Sequence, residues 1–351
     1  MDILDKALSG ERLTAEDGER LFESKDIISL GRAAQEIARR RHPDGVVTYI
    51  ADRNINYTNI CISRCLFCAF YREKDSGDAY LISRDELSKK IEETIALGGA
   101  QILLQGGLNP DLGMEYYEEL LQFIKSFKIH IHGFSPPEIV YISKKSGMTI
   151  EDVIKRLKNA GLGSIPGGGA EILDDSIRKR LSPNKCNAEE WLHVMETAHN
   201  LGLKTTATMM YGHVESYKDR IEHIVKIRGL QDKTGGFTAF IPWSFQSKNT
   251  RLDGYNSSGV DYLKTLSLSR LMLDNFNNIQ ASWVTQGAKV AQLALFFGAN
   301  DMGSTMIEEN VVKAAGVSFR MSEGEIRRLI EDAGFKPAKR DTSYRVICRL
   351  P

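Results

Sequence analysis

Short apolar or β-branched runs alternate with amphipathic stretches of helical period along most of the chain. Runs of about four to eight such residues predict strands, and a 3.6-residue period predicts helices. This alternation is typical of repeated βα units, and eight units predict a closed (βα)8 barrel of the α/β TIM type. The predicted strands are VVTYIA around residues 47–51, QILLQG from Gln101, IHIHGF from Ile129, LGSIPG from Leu162, KTTATMM from Lys204, GFTAFIP from Gly236, IQASWVT from Ile279 and, more weakly, LFFGAND from Leu295.

An open doubly wound sheet is the alternative to the barrel. That fold predicts a Gly-rich phosphate turn after the first strand, whereas here a cysteine-rich segment follows it. The barrel is therefore favoured.

The barrel is expected to occupy residues 46–310, because no Pro/Gly/Ser-rich linker, low-complexity run or tandem repeat divides the chain. Residues 1–45 predict an N-terminal extension of two helices, the second covering LFESKDIISLGRAAQEIARRRHP from Leu21. Residues 311–351 predict a helical and short-strand extension packed on the barrel.

Charge and cysteine usage narrow the setting. Lys plus Arg equals Asp plus Glu at 46 each, so neither a nucleic acid nor a membrane is indicated, and a small-molecule substrate is expected. No export signal and no run of 18 apolar residues is present, and five cysteines are an odd count for a disulfide framework. These features predict a cytoplasmic protein.

Polar and glycine-rich segments follow the predicted strands, and in a TIM-type barrel the chemistry lies at the carboxyl ends of the strands. Such segments include Gln105 to Gly107, Ser135, Gly167 to Gly169, and His213. We expect them to converge on one rim.

The segment CISRCLFC places Cys61, Cys65 and Cys68 in the spacing C-x3-C-x2-C. One short loop of this kind can bind three irons of a [4Fe-4S] cluster and leave the fourth iron without a protein ligand. A structural zinc site needs a fourth ligand, and neither Cys186 nor Cys348 has a second ligand type near it in the sequence. A cluster is therefore favoured over zinc or three unconnected thiols.

This loop resembles the radical S-adenosylmethionine (radical SAM) superfamily, whose signature is C-x3-C-x-aromatic-C, with Phe67 in the aromatic position. The resemblance implies that SAM chelates the open iron and yields a 5'-deoxyadenosyl radical. It also implies that Phe67 flanks the adenine, that Gly106 and Gly107 meet the methionine amino group, and that Glu171 with Arg178 or Arg180 holds the ribose and carboxylate. The predicted SAM-binding residues are thus Phe67, Gln105, Gly106, Gly107, Ser135, Glu171 and Arg178.

Longer blocks resemble the cyclic dehypoxanthinyl futalosine synthase family of the futalosine route to menaquinone. They include RNINYTNIC, LLQGGLNPDL, SIPGGGAEIL, TGGFTAFIPW, IQASWVTQG and GANDMGSTMIEENV. The resemblance implies that the radical abstracts the ribose C4' hydrogen of dehypoxanthine futalosine and that the carbon radical adds to the benzoate ring. SAM is then consumed as the oxidant, and an external one-electron donor such as flavodoxin or ferredoxin is expected.

Related families remain as alternatives. Aminofutalosine synthase and the tyrosine-using subunit of deazaflavin cofactor synthesis also carry the cysteine loop and several flanking blocks. A non-catalytic Fe-S electron carrier and a silent barrel scaffold are two further classes. Iron content together with SAM cleavage separates the enzyme from both of these.

The cyclisation requires a base and a cavity that holds the substrate. The predicted bases are His213, Asp301 and Glu308. Aromatic residues at strand ends are as common in plain cores as in substrate sites. The predicted substrate contacts are His132, Trp243, Gln246, Ser282 and Gln286.

Overall fold

Three helices precede the first strand in the computed structural model, which describes residues 2–252, 254, 256–317 and 319–349. They are α1 (Ile3–Leu8), α2 (Ala15–Glu23) and α3 (Ile27–Arg41). The prediction of two helices was wrong, because the expected second helix is interrupted. Its first residues, 21–23, are the last residues of α2. The Asp26 carboxylate then accepts a hydrogen bond from the Ser29 N–H, and this cap begins α3.

The strands form two sheets, and their pairing is parallel apart from the antiparallel pair of β10 and β11. Seven strands pair in chain order from β2 to β8, and a second sheet has the order β11-β10-β1-β9. The strands are β1 (Val46–Ile50), β2 (Asp52–Asn56), β3 (Gln101–Gln105), β4 (His130–Gly133), β5 (Ser164–Ile165), β6 (Lys204–Tyr211), β7 (Phe237–Ser244), β8 (Asn278–Ile279), β9 (Asp301–Ser304), β10 (Lys336–Arg340) and β11 (Val346–Arg349).

The two sheets join into one barrel because β1 and β2 are successive parts of one extended segment. Thr48 in β1 pairs with Asp301 in β9, and Gln280 after β8 forms a parallel bridge to the same Asp301. The Thr305 N–H donates to the Ile50 carbonyl at 2.9 Å, and the Ile307 N–H donates to the Asp52 carbonyl at 3.0 Å. The barrel therefore has eight staves, β1/β2 and β3 to β9, which confirms the predicted TIM-type fold.

Helices connect the staves. Local capping explains where many of them begin. Ser83 accepts a hydrogen bond from the Glu86 N–H, and Asn187 forms a reciprocal capping box with Glu190. The helices are α4 (Arg84–Ala96), α5 (Met114–Lys125), α6 (Pro136–Ser146), α7 (Ile150–Ala160), α8 (Asp175–Leu181), α9 (Ala188–Asn200), α10 (Tyr217–Thr234), α11 (Gly259–Met272), α12 (Trp283–Ala294), α13 (Val311–Ala314) and α14 (Glu323–Asp332).

The last two predicted strands were misplaced. In the predicted seventh strand only Ile279 lies in β8, and Trp283 already begins α12. The predicted eighth strand starts at Leu295, which is the C-cap of α12, and the true strand starts at Asp301. A short apolar run does not by itself distinguish a buried strand from the buried end of a helix.

The C-terminal β10–β11 hairpin joins the barrel at β1. β10 runs parallel to β1, so the hairpin turn lies at the carboxyl end of β1, beside the first residues of β2 and β3. Arg340 Nε donates to Asp301 at 2.6 Å and Nη2 at 3.0 Å, and the Thr48 hydroxyl donates to Asp301 at 2.5 Å. All three side chains are buried. Burial alone would lower the pKa of Arg340, but Asp301 outweighs this effect and raises the pKa.

None of the helices within the described residues is long and apolar enough to cross a membrane.

Replacing Asp301 with Ala is expected to lower the free energy of unfolding by about 3–5 kcal/mol, because Arg340 would remain buried without its partner. Urea denaturation measures this change. The matched control is Asp332→Ala, which removes an exposed ion pair with Arg328 and should cost no more than about 1 kcal/mol. An Asp301→Ala variant as stable as the control would contradict the structural role given to this pair.

Candidate active site

The three clustered cysteines lie on the loop that follows β2. Cys65 is buried, Cys61 and Cys68 are half-buried, and all three are free thiols. Cys61 Sγ accepts a hydrogen bond from the Leu108 N–H at 3.3 Å, and Cys65 Sγ lies 3.2 Å from the Ser63 hydroxyl. Arg64, which precedes Cys65, has a φ of +52°, a left-handed conformation that is typical of a turn. The thiols therefore lie on one curved segment beside the loop that follows β3.

Gly106 and Gly107 allow these two loops to touch. A Cβ atom on Gly107 would lie 2.2 Å from the Ile60 carbonyl oxygen, and one on Gly106 would lie 2.4 Å from the Tyr57 ring. Glu138 fixes the same turn, because its carboxylate accepts hydrogen bonds from the Gly106 N–H at 3.0 Å and from the Tyr57 hydroxyl at 2.7 Å. Residues without a side chain are therefore required at both positions.

Ser135 belongs to the same arrangement. Its N–H and hydroxyl donate to Glu138 at 2.7 and 2.6 Å, so Ser135 caps α6 through the carboxylate that also holds Gly106. Ser135 thus lies beside the glycine turn, as the strand-end rule predicts.

Glu171 lies after β5 with a buried carboxylate. Its Oε1 accepts a hydrogen bond from Lys185 Nζ at 2.9 Å, and its Oε2 lies 3.6 Å from Arg178 Nη1. Oε2 is buried and has no hydrogen-bond partner among the described residues. Glu171 also has a φ of +38°. An unsatisfied buried oxygen on a strained residue is typical of a site that completes its bonding with a ligand.

Lys185 connects Glu171 to the cysteine loop. Its ammonium lies 5.1 Å from the centre of the Phe67 ring. Burial would lower the pKa of Lys185, but the nearby charges of Cys65 and Glu171 raise it, so the side chain is cationic. Arg178, by contrast, donates to the backbone carbonyls of Ala170 and Cys186 and holds the Glu171 loop in place.

Inside the barrel lies a cavity of about 280 Å³. It contains four of the predicted site residues, and its wall also includes Trp283, Ile241 and Val312. Burial lowers the pKa of His132 to about 3, so this imidazole is neutral, with Nδ1 2.7 Å from the Ser164 hydroxyl. The four predicted lining residues are Gln105, His132, Trp243 and Ser282.

Gln246 and Gln286 were expected to line this cavity, but neither does. The Gln246 amide donates to the Ser244 hydroxyl at 3.1 Å, and the Gln286 amide donates to it at 2.5 Å. Both glutamines are thereby held at the end of β7.

The three predicted bases also lie outside the cavity lining. His213 has a fully buried side chain whose Nε2 lies 3.0 Å from the Met210 carbonyl, and its Nδ1 accepts from the Val214 N–H at 2.7 Å. Asp301 is committed to Arg340 and Thr48, as described above. Glu308 accepts from Lys90 at 2.6 Å in a separate surface pocket. Each of the three therefore has a structural partner that accounts for its position.

Comparison with known proteins identifies the family. A family model described as the radical SAM superfamily matches residues 55–227, and one described as the CofH/MqnC C-terminal region matches residues 234–349. The chain is 46% identical to cyclic dehypoxanthine futalosine synthase from Halalkalibacterium halodurans, over 98% of this chain and 94% of that protein. The chain belongs to the radical SAM superfamily.

A second group of relatives is equally similar to this radical SAM enzyme. This chain is 47% identical to 5-amino-6-(D-ribitylamino)uracil–L-tyrosine 4-hydroxyphenyl transferase from Archaeoglobus fulgidus, over 90% of this chain and 93% of that protein. Among solved structures, methylornithine synthase superposes with a TM-score of 0.73 at 20% identity, covering 96% of this chain and 97% of that chain. That superposition supports the barrel fold.

As a radical SAM enzyme, the protein uses a [4Fe-4S] cluster and SAM. The geometry of the loop fits a cluster better than a single ion. Within the described residues, the side chains whose potential metal-ligand atoms all lie within 4.8 Å of one another are Asp174, Asp219 and Glu222. The sulfur atoms of the three cysteines do not form such a group. Three thiolates on one zinc ion, at about 2.3 Å from the metal, would lie within that limit.

The Cys61 and Cys68 thiols are protonated until iron binds. Burial raises the pKa of Cys61 to about 11 and also raises that of Cys68. Loading the site therefore releases protons.

Sequence reasoning missed two carboxylates that line the cavity, Asp52 and Glu309. Glu309 accepts hydrogen bonds from the N–H groups of Val311 at 3.0 Å and Val312 at 2.8 Å, and burial raises its pKa. Side chains along a strand point alternately to its two faces. If this alternation continued beyond Ser304, which lines the cavity, the Glu308 side chain would also point into the cavity. Met306 has a φ of +45°, which breaks this alternation, so Glu309 faces the cavity instead.

Replacing Gly107 with Ala is expected to abolish loading of the cluster, because the added methyl group would displace Ile60 and Cys61. Iron and sulfide per chain, with the visible absorption spectrum, measure the loading after anaerobic reconstitution. The control is Gly229→Ala on α10, where a Cβ atom meets no atom within 4 Å. Wild-type iron content in Gly107→Ala would show that the close approach of the two loops is not required.

Proposed function

We propose that this radical SAM enzyme converts dehypoxanthine futalosine to cyclic dehypoxanthinyl futalosine, a step of menaquinone biosynthesis. The observation that carries the proposal is the 46% identity to cyclic dehypoxanthine futalosine synthase, which extends over nearly the full length of both chains. A second synthase, from Streptomyces coelicolor, is 43% identical over 97% of this chain.

The reaction removes the hydrogen atom from C4' of the substrate ribose and joins that carbon to the benzoate ring. The new ring then loses one proton to a base and one electron to a one-electron acceptor. When bound, the cluster and SAM would supply the hydrogen-atom acceptor at the expense of one electron from the external donor, with methionine and 5'-deoxyadenosine as by-products. The substrate loses two hydrogens overall.

The cavity supports a reaction within one substrate molecule. Its volume of about 280 Å³ is just below the usual range for ligand pockets, roughly 300–1,000 Å³. Trp243 and Trp283 supply aromatic wall surface against which the benzoate ring can pack. The barrel staves surround this space, so a substrate that fills it would displace water from around a reactive carbon radical.

Glu309 is the base in this proposal. It lines the cavity, whereas His213, Asp301 and Glu308 are held by other partners. Its pKa is raised by burial, against the opposing effect of the α13 N–H groups, and a raised pKa strengthens a carboxylate as a proton acceptor.

The transferase is the second candidate, because the Archaeoglobus fulgidus protein is as similar as the synthase. Its name specifies two substrates, 5-amino-6-(D-ribitylamino)uracil and L-tyrosine. In either case, we propose that the enzyme works in the cytoplasm with an external one-electron donor such as flavodoxin or ferredoxin. We also keep the predicted division into residues 1–45, 46–310 and 311–351 as a proposal.

Product analysis distinguishes the two reactions. The reconstituted enzyme is reduced anaerobically with SAM and given either dehypoxanthine futalosine or 5-amino-6-(D-ribitylamino)uracil with L-tyrosine. We expect a futalosine product two hydrogens lighter than the substrate, with an equal amount of 5'-deoxyadenosine, and Cys65→Ala should form neither. Product from only the uracil and tyrosine mixture would overturn the cyclase in favour of the transferase.

Glu309→Gln is expected to slow cyclisation by about 100-fold or more, because general-base catalysis contributes about 10²–10⁴-fold. The glutamine keeps one oxygen to accept from α13, so the iron content should not change. Glu308→Gln is the matched control, one residue away and outside the cavity. Equal losses in both variants would contradict the assignment of Glu309.

A further inference from the structure

The turn between β10 and β11 lies at the amino end of the barrel cavity. Arg340, Thr342 and Tyr344 from this turn line the cavity together with Asp52 and Gln101 from the first residues of β2 and β3. The Thr342 hydroxyl donates to Gln101 Oε1 at 2.5 Å, which fastens the turn to the barrel. We call these five residues the cavity floor.

Tyr344 is the unusual member of the floor. Its φ is +63°, a left-handed conformation that aromatic residues rarely adopt. The Arg340 guanidinium carbon lies 3.7 Å from the centre of its ring, which holds the side chain in place. Its hydroxyl oxygen is buried and has no hydrogen-bond partner among the described residues. Both features cost free energy, and together they indicate a hydroxyl that awaits a ligand.

The other floor groups determine what kind of ligand fits. Asp52 accepts hydrogen bonds from the Ser304 hydroxyl and from the Gln101 amide. The positive charge of Arg340 is already balanced by Asp301, and burial raises the pKa of Asp52. A ligand carboxylate would therefore meet no unpaired cation among the five floor residues.

Hydroxyl groups fit this surface because they both donate and accept hydrogen bonds. A carboxylate acceptor, an amide and a phenol that lie close together can serve several neighbouring hydroxyls of one chain. The cavity also extends from Gln101 to Gln105 along β3, about 13 Å at roughly 3.3 Å per residue, so a ligand can reach both the floor and the rim.

We propose that the cavity floor is a polyol subsite that holds the five-carbon sugar portion of the substrate, with Tyr344 as a donor to one of its hydroxyls. The inference rests on the proposed function only in the source of the sugar. Dehypoxanthine futalosine carries a ribose ring, and the substrate in the transferase's name carries an open ribityl chain. Both present neighbouring hydroxyls.

Tyr344→Phe removes only the hydroxyl and keeps the ring beside Arg340. We expect the KM of the sugar-bearing substrate to rise about tenfold with little change in kcat, because one hydrogen bond in the bound complex is lost. The control is Tyr217→Phe, whose ring also lies beside an arginine but is exposed on α10. The substrate whose KM rises identifies the source as ribose or ribityl. An unchanged KM for every substrate that the enzyme turns over would overturn the subsite.

Calorimetry with simple probes tests the floor without turnover. The holoenzyme is titrated anaerobically with ribitol and with 1,5-pentanediol, which lacks the three inner hydroxyls. We expect ribitol to bind about tenfold more tightly to the wild type, and Tyr344→Phe to reduce this ratio several-fold while Tyr217→Phe leaves it unchanged. Equal binding of both probes to the wild type would overturn the proposal. Preference for ribitol in an enzyme that turns over neither substrate would uphold the subsite and reject the proposed reactions.

Discussion

The buried ion pair between Asp301 and Arg340 joins the parts of this protein that must meet for a cavity to exist. Asp301 opens the last stave of the barrel, Arg340 ends the strand that leads into the C-terminal turn, and Thr48 donates to the same carboxylate from the first stave. Two charges removed from water need each other, since either one alone would carry a large desolvation penalty. Loss of this ion pair would therefore destabilise both the closed barrel and the contact between the barrel and the C-terminal hairpin.

The cavity that results has two chemically different ends. At the rim, close approach of the glycine turn to the cysteine loop, together with the Glu138 carboxylate, fixes the backbone around the cluster site. At the floor, polar groups from distant parts of the sequence surround a space with little net charge. Aromatic residues such as Trp243 and Trp283 add apolar surface to the wall of the same cavity. This division suits a substrate whose sugar is held at the floor with its reacting carbon facing the cluster site.

The barrel and its rim were predictable from sequence because the relevant signals are local. The spacing of Cys61, Cys65 and Cys68, and the glycines that follow β3, lie within a few residues of one another or of a recognisable strand. Two kinds of feature were not predictable from the sequence. The left-handed Met306 shifts the inward position from Glu308 to Glu309, and no pattern in the sequence marks that residue. The floor brings Tyr344 beside Asp52 through strand pairing over nearly 300 positions of the chain, so no local periodicity could reveal it.

The fate of one hydrogen atom tests the central claim, that this barrel directs a radical at the sugar of a single enclosed substrate. Dehypoxanthine futalosine carrying deuterium at C4' would be incubated anaerobically with the reduced, reconstituted enzyme and SAM. Mass spectrometry would then show where the label goes. We expect deuterium to appear in 5'-deoxyadenosine and to be absent from the cyclised product. Unlabelled 5'-deoxyadenosine, with deuterium still on the substrate or product, would contradict it.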